Sequence, residues 1–94
     1  MIERPHRVGN GIQRLYRFPN GYGASVVRFM IGAFGGSYGA ENGLWELAVT
    51  KYTGDKFKLT YETPITNGVE GRLTEHEVDA LLARIEALPA SIGD

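Results

Sequence analysis

The stretch Leu44-Trp45-Glu46-Leu47-Ala48-Val49-Thr50-Lys51-Tyr52, followed after Thr53-Gly54-Asp55 by Lys56-Phe57-Lys58-Leu59-Thr60-Tyr61-Glu62, decides the fold. Trp45, Leu47 and Val49 fall on alternate positions, and Phe57, Leu59 and Tyr61 repeat that parity. Because a strand turns successive side chains to opposite faces, the six can line one face of a β-hairpin. Pairing Val49 with Leu59 achieves this with a three-residue loop, Thr53-Gly54-Asp55, built of turn formers. A slip of one residue would send one row to the other face.

Working outward, each of the four asparagines precedes a glycine, at Asn10-Gly11, Asn20-Gly21, Asn42-Gly43 and Asn67-Gly68. Such pairs favour turns that need positive φ and divide the chain into strand-sized pieces. Ile12 to Phe18 meets Ala24 to Ile31 across Pro19-Asn20-Gly21-Tyr22. A two-residue turn at Asn20-Gly21 sets Ile12, Tyr16 and Phe18 beside Val27, Phe29 and Ile31. A three-residue turn, Pro19-Asn20-Gly21, with a bulge at the glycine brings Leu15 to that side instead. The first register buries more and is the expected one. Residues 32–43 hold five glycines with Phe34 and Tyr38 among them, and read as a long connection, either functional or a simple link between hairpins.

Beyond Pro64, which should end the last strand, Thr74-Glu75-His76-Glu77 forms a capping box, and Leu73 and Val78 stand at the positions of a hydrophobic staple. Glu75, Glu77 and Asp79 suit the positive end of a helix dipole. Val78, Leu81, Leu82, Ile85 and Leu88 recur at helical spacing until Pro89. The fold class expected is α+β: a four-stranded antiparallel β-meander near 12–18, 23–31, 44–52 and 56–62, with one C-terminal helix, 75–88, packed on one face. The 94 residues make a single domain, with 1–11 an N-terminal arm, 12–62 the meander and 74–88 the helical segment. Phe29, Ile31, Trp45, Leu47, Val49, Leu59, Leu82 and Ile85 are the expected core.

The chain carries net charge −1, but residues 1–31 hold five Arg against one Glu and residues 32–94 five basic against ten acidic groups, or +4 and −5. The split suggests either a polar partner surface or two solvated faces. There are no cysteines, which excludes disulfides and thiolate chemistry and leans toward a reducing compartment. No apolar run follows the N-terminus, and no stretch approaches the ~20 apolar residues of a membrane span. A cytoplasmic protein without a membrane partner is expected.

Catalytic candidates are few. His6 and His76 have no second ligand at metal spacing, and the acidic residues of the helix start are explained by capping. Ser25, Ser37 and Ser91 lie in no nucleophile motif, and Gly32-Ala33-Phe34-Gly35-Gly36-Ser37 lacks the lysine of a phosphate-binding loop. The expectation is no enzyme, with no catalytic residues, no cofactor and no metal. Asn20-Gly21-Tyr22-Gly23-Ala24-Ser25-Val26 has the outline of an RNA-recognition signature, yet Asn20 stands where a cation is needed and Ala24 where an aromatic should stack. Arg14, Arg17 and Arg28 with Tyr16 and Tyr22 remain an alternative: a basic aromatic patch for single-stranded nucleic acid.

The segments Phe18 to Arg28, Gly43 to Val49, and Tyr61 to Thr66 leading into Leu73-Thr74-Glu75 together resemble a group of small uncharacterised proteins encoded by bacteriophages and prophages. The resemblance covers about residues 12 to 88. It carries no site residues over. It implies an infected bacterial host cytoplasm, where small accessory proteins bind and modulate host proteins.

The leading functional reading rests on coverage. A helix of about fourteen residues spans roughly 21 Å and can shield only one face of a four-stranded sheet. In the expected register the other face carries Leu15, Val26 and Met30 among Arg17 and Arg28. With Phe34 and Tyr38 of the glycine-rich connection these form the expected protein-binding surface, for self-association as a homodimer or for a host protein. The alternative is a monomer whose connection or N-terminal arm folds over that face.

Overall fold

The structure, a computed structural model, describes residues 1–5, 11–31, 35–36, 40, 43–60, 63–65 and 69–90. It contains strands β1 (Ile2–Pro5), β2 (Ile12–Arg17), β3 (Tyr22–Arg28), β4 (Met30–Ile31), β5 (Gly35–Gly36), β6 (Trp45–Thr53), β7 (Lys56–Leu59) and β8 (Val69–Leu73), and the helix α1 (Glu75–Glu86). The main sheet is antiparallel in the order β1-β2-β3-β6-β7, with β8 also on β6, while β4 and β5 pair separately. The fold is therefore α+β with one C-terminal helix, as the periodicities indicated, but the sheet is wider than four strands.

The two additional strands sit at its edges. β1 lies in the segment read as an arm and pairs Glu3 with Arg14 and Arg4 with Gln13. All four of its residues are exposed, so it has no apolar alternation to betray it. β7 and β8 are one interrupted strand. Thr60 N–H donates to the Val49 carbonyl at 2.9 Å, and Val69 stands opposite Ala48, the next ladder position. Thr60 and Val69 thus occupy neighbouring positions of one edge. Ile65 packs back against the core.

Both hairpins differ by one residue from the expected pairing. In the first, Phe18 N–H donates to the Tyr22 carbonyl (2.8 Å) and Gly21 N–H to the Phe18 carbonyl (3.1 Å), which closes a three-residue turn with Gly21 at φ 88°. Tyr16 then faces Ala24, and Arg14 faces Val26. Val26 moves to the helix side, and Leu15 shares the other face with Ser25 and Val27. In the second, Thr53 pairs with Lys56 across a two-residue turn with Gly54 at φ 62°, and Leu59 faces Thr50 in place of Val49. Phe57 and Leu59 consequently leave the Trp45-Leu47-Val49 face, and Leu59 is 43% exposed.

The core lies between the sheet and α1: Ala24, Val26, Trp45, Leu47, Val49, Leu73, Val78 and Ile85 are buried, with Ile12, Tyr16, Phe18, Tyr22, Ile65, Leu81, Leu82 and Leu88 packed around them. Of the expected core, Trp45, Leu47, Val49 and Ile85 are buried and Leu82 is partly buried, whereas Leu59 is not and Phe29 is only half-buried. The Ile31 side chain lies outside the described set. A bulge in β8 brings Leu73 inward. Trp45 faces Leu73 and Leu47 faces Glu70, so Gly71 and Arg72 together oppose Glu46, with Arg72 at φ 58°. The extra residue resets the alternation that would have turned Leu73 away.

The helix is held at both ends, by different means. At its start, Glu77 N–H donates to the Thr74 hydroxyl (3.2 Å) and Thr74 N–H to the Glu77 carboxylate (3.0 Å), the two halves of the capping box. At its end, the Asn20 amide from the first hairpin lies 2.9, 3.2 and 3.1 Å from the carbonyls of Ile85, Glu86 and Leu88. The same side chain accepts from Tyr22 N–H at 3.0 Å. One turn residue therefore both shapes the hairpin and satisfies carbonyls that a helix end leaves open.

Candidate functional site

The charged and aromatic residues of the first hairpin are divided between the two faces. On the helix side, the guanidinium carbons of Arg14 and Arg28 lie 4.2 and 4.4 Å from the centroid of the buried Trp45 ring. Arg14 also donates from Nε to Glu3 (3.1 Å) and from Nη1 to both oxygens of Glu75 (3.0 Å each). Burial opposes its charge, but the Glu75 and Glu3 carboxylates outweigh that, and the Arg14 pKa is raised. Arg28 donates to the Gly43 carbonyl at 3.1 Å. Tyr16 and Tyr22 pack against the core, and burial pushes the Tyr16 phenol up against the pull of Arg14. Arg17 stands on the opposite face, 4.6 Å from the Tyr52 ring centroid and 3.7 Å from Asp55. Of the nucleic-acid candidates, Arg14, Arg28, Tyr16 and Tyr22 share the helix side, and Arg17 stands apart on the opposite face. Two of these arginines tie β1, the helix start and the 43–45 segment to Trp45.

The protein-binding set is divided as well. Leu15 lies on the face away from the helix but is only 9% exposed, and Val26 is fully buried beneath the helix. The reason is the three-residue turn, which puts these two neighbours in the expected register on opposite sides. Arg17 is exposed beside Tyr52; Arg28 is engaged as above. Met30 belongs to β4, its side chain lying outside the described set, and Phe34 and Tyr38 fall outside the described residues.

Exposed apolar surface is found elsewhere. The middle of the second face is closed, with Leu15, Ser25, Val27, Ala48 and Thr50 all at 9% or less. Its rim is open. Ile2 is 65% exposed at the β1 edge, and Leu59 and Val69 are 43% and 44% exposed at the β7/β8 edge. Phe57 faces Tyr52, Leu59 faces Thr50 and Val69 faces Ala48, so the three form one row at alternate ladder positions. Phe57 packs on Tyr52 with ring centroids 5.5 Å apart. The row was hidden in the sequence because nine residues, 60–68, lie between Leu59 and Val69 along the chain. Pro64 and Asn67-Gly68, residue types that interrupt strands and favour turns, are the sequence signals that hint at a break between the two segments.

Other groups with chemical capacity are accounted for locally. Ser25 Oγ accepts from the Gln13 amide at 3.0 Å. The Glu77 carboxyl is held below its ordinary range by the backbone N–H of Thr74 and then by the Thr74 side chain. Among the described residues no three His, Cys, Asp or Glu side chains gather as a metal site, and no helix is long and apolar enough to cross a membrane. The chain matches no protein-family model, no curated protein and no solved structure.

Proposed function

We propose that this protein is a non-enzymatic interaction module whose contact surface is the β7/β8 edge of the sheet. The observation that carries the reading is the row Phe57, Leu59 and Val69, in which two large apolar side chains stand more than two-fifths exposed side by side at an edge that pairs with no further strand among the described residues. Apolar side chains clustered this way, bordered by Lys58 and Glu70, have the composition of a protein contact. The arginines of the first hairpin, by contrast, are committed to intramolecular stacking and ion pairs. The resemblance to bacteriophage and prophage proteins supports two occupants, a second copy or a bacterial host protein, and an infected host cytoplasm as the setting.

The test uses Leu59→Asp with Val69→Asp. Both positions are exposed, so the double variant should keep the wild-type circular dichroism spectrum. Wild-type protein is expected to show concentration-dependent mass by light scattering or to retain a partner from bacterial lysate, and the variant to do neither. A strictly monomeric wild type that retains nothing, or a variant that behaves as wild type, refutes the reading.

A further inference from the structure

The geometry points to a second copy of this chain as the occupant of that edge, in one register about a two-fold axis at Thr60; the inference rests on the interaction-module reading and specifies its partner. In an antiparallel ladder, the peptide groups of alternate residues point toward one neighbouring strand and those between point away. Thr60 N–H donates inward to Val49, which sets the phase. Phe57 and Leu59 therefore direct their N–H and C=O groups outward, and so does Val69, opposite Ala48 at the next position. The outer edge reads, in spatial order, Lys56, Phe57, Lys58, Leu59, Thr60, Val69, Glu70, Gly71.

This string is complementary to itself when reversed. With Thr60 on the axis, Leu59 of one copy stands opposite Val69 of the other, an apolar pair whose outward backbone groups exchange hydrogen bonds. Lys58 stands opposite Glu70 of the second copy. Both are exposed on the helix side, and in a non-hydrogen-bonded position their side chains meet closely. Phe57 stands opposite Gly71, where an aromatic side chain can cover a glycine. The two-fold axis repeats every pair, so the contact is isologous and joins two sheets edge to edge. Edge lysines also serve to block strand pairing. The two roles differ in their dependence on Glu70, since a blocking lysine has no use for a carboxylate at the position that mates with it.

The 94-residue chain, studied by sedimentation across a concentration series, should be a reversible dimer. Lys58→Glu and Glu70→Lys each place like charges opposite one another twice per dimer and should raise the dissociation constant by about tenfold or more. The double variant Lys58→Glu/Glu70→Lys should restore wild-type association, an outcome that misfolding of a single variant could not produce. The chain has no cysteine. Thr60→Cys therefore introduces a lone thiol on the axis, where facing Cα atoms in a non-hydrogen-bonded pair lie about 4.5 Å apart, within disulfide reach. A mild oxidant should convert it to a covalent dimer. A wild type that stays monomeric up to millimolar concentration overturns the inference; if it still retains another partner through Leu59 and Val69, the interaction-module reading stands. A dimer that ignores both charge reversals and does not cross-link at Thr60→Cys overturns the register while leaving self-association in place.

Discussion

The two hairpins of this sheet show opposite turn choices. The β2–β3 hairpin adopts three residues where two would bury a longer apolar row, and the β6–β7 hairpin adopts two where three would do so. In both, the turn and the neighbouring elements outweigh the alignment of apolar side chains within the hairpin. Pro19 and Gly21 suit a turn that ends in a left-handed residue, and that turn delivers Asn20 to the helix end. Gly54 supplies positive φ for a tight turn on the exposed side, where a Cβ would meet nothing within 4 Å and Arg17 of β2 reaches only the exposed Asp55, at 3.7 Å. The first hairpin is thus fixed by tertiary contacts and the second by local conformation, a difference that mutation can probe.

The largest effect is expected at Gly23, in the first hairpin. A Cβ there would lie 2.0 Å from the Tyr16 carbonyl, 2.8 Å from the Tyr52 ring and 2.9 Å from Thr50 Oγ1. Gly23→Ala should cost about 3 kcal/mol in urea denaturation, because backbone and a packed ring must both shift. Asn20→Ala comes next, at about 2 kcal/mol, since it strands two part-buried carbonyls and one exposed carbonyl of the helix end as well as Tyr22 N–H. A loss as small as that of a surface substitution would show that the first hairpin is held by its own turn after all. Gly54→Ala in the second hairpin should cost about 1 kcal/mol, from the left-handed backbone alone, and Gly54→Asn less.

The helix start provides a local counterpart to the Asn20 cap. Thr74→Ala should cost about 1 kcal/mol. Glu77 titrates below its ordinary value of 4.5, so the unfolded chain takes up this proton first on acidification. Its contribution is complete above 4.5 and is lost as pH falls through the lower folded value. Glu77→Gln should accordingly flatten the stability profile in that acid range and leave neutral pH dependence unchanged. The smallest effect is expected at Thr50, fully buried beside Gly23 with no partner for its hydroxyl among the described residues. Thr50→Val should be neutral or stabilising by up to about 1 kcal/mol; clear destabilisation would mean that the hydroxyl is satisfied.

The sequence by itself determined the parts whose decisive contacts lie within a few residues. Thr74 and Glu77 bond across one helical turn, Val78 to Leu88 repeat at helical spacing, and Trp45, Leu47 and Val49 alternate toward the core whichever strand lies beside them. The class of fold and the position of its helix follow from these. Tertiary structure alone decided register, because a strand's two-residue period leaves pairings one residue apart equally regular, and the choice falls to the turn and to what covers each face. It decided the pairing of β1, whose residues are all exposed, and the bulge at Gly71 and Arg72 that turns Leu73 inward. It also made the candidate surface. Leu59 and Val69 become neighbours because Thr60 and Val69 stand opposite Val49 and Ala48, adjacent residues of β6, and that adjacency is set by pairing with a strand distant in sequence.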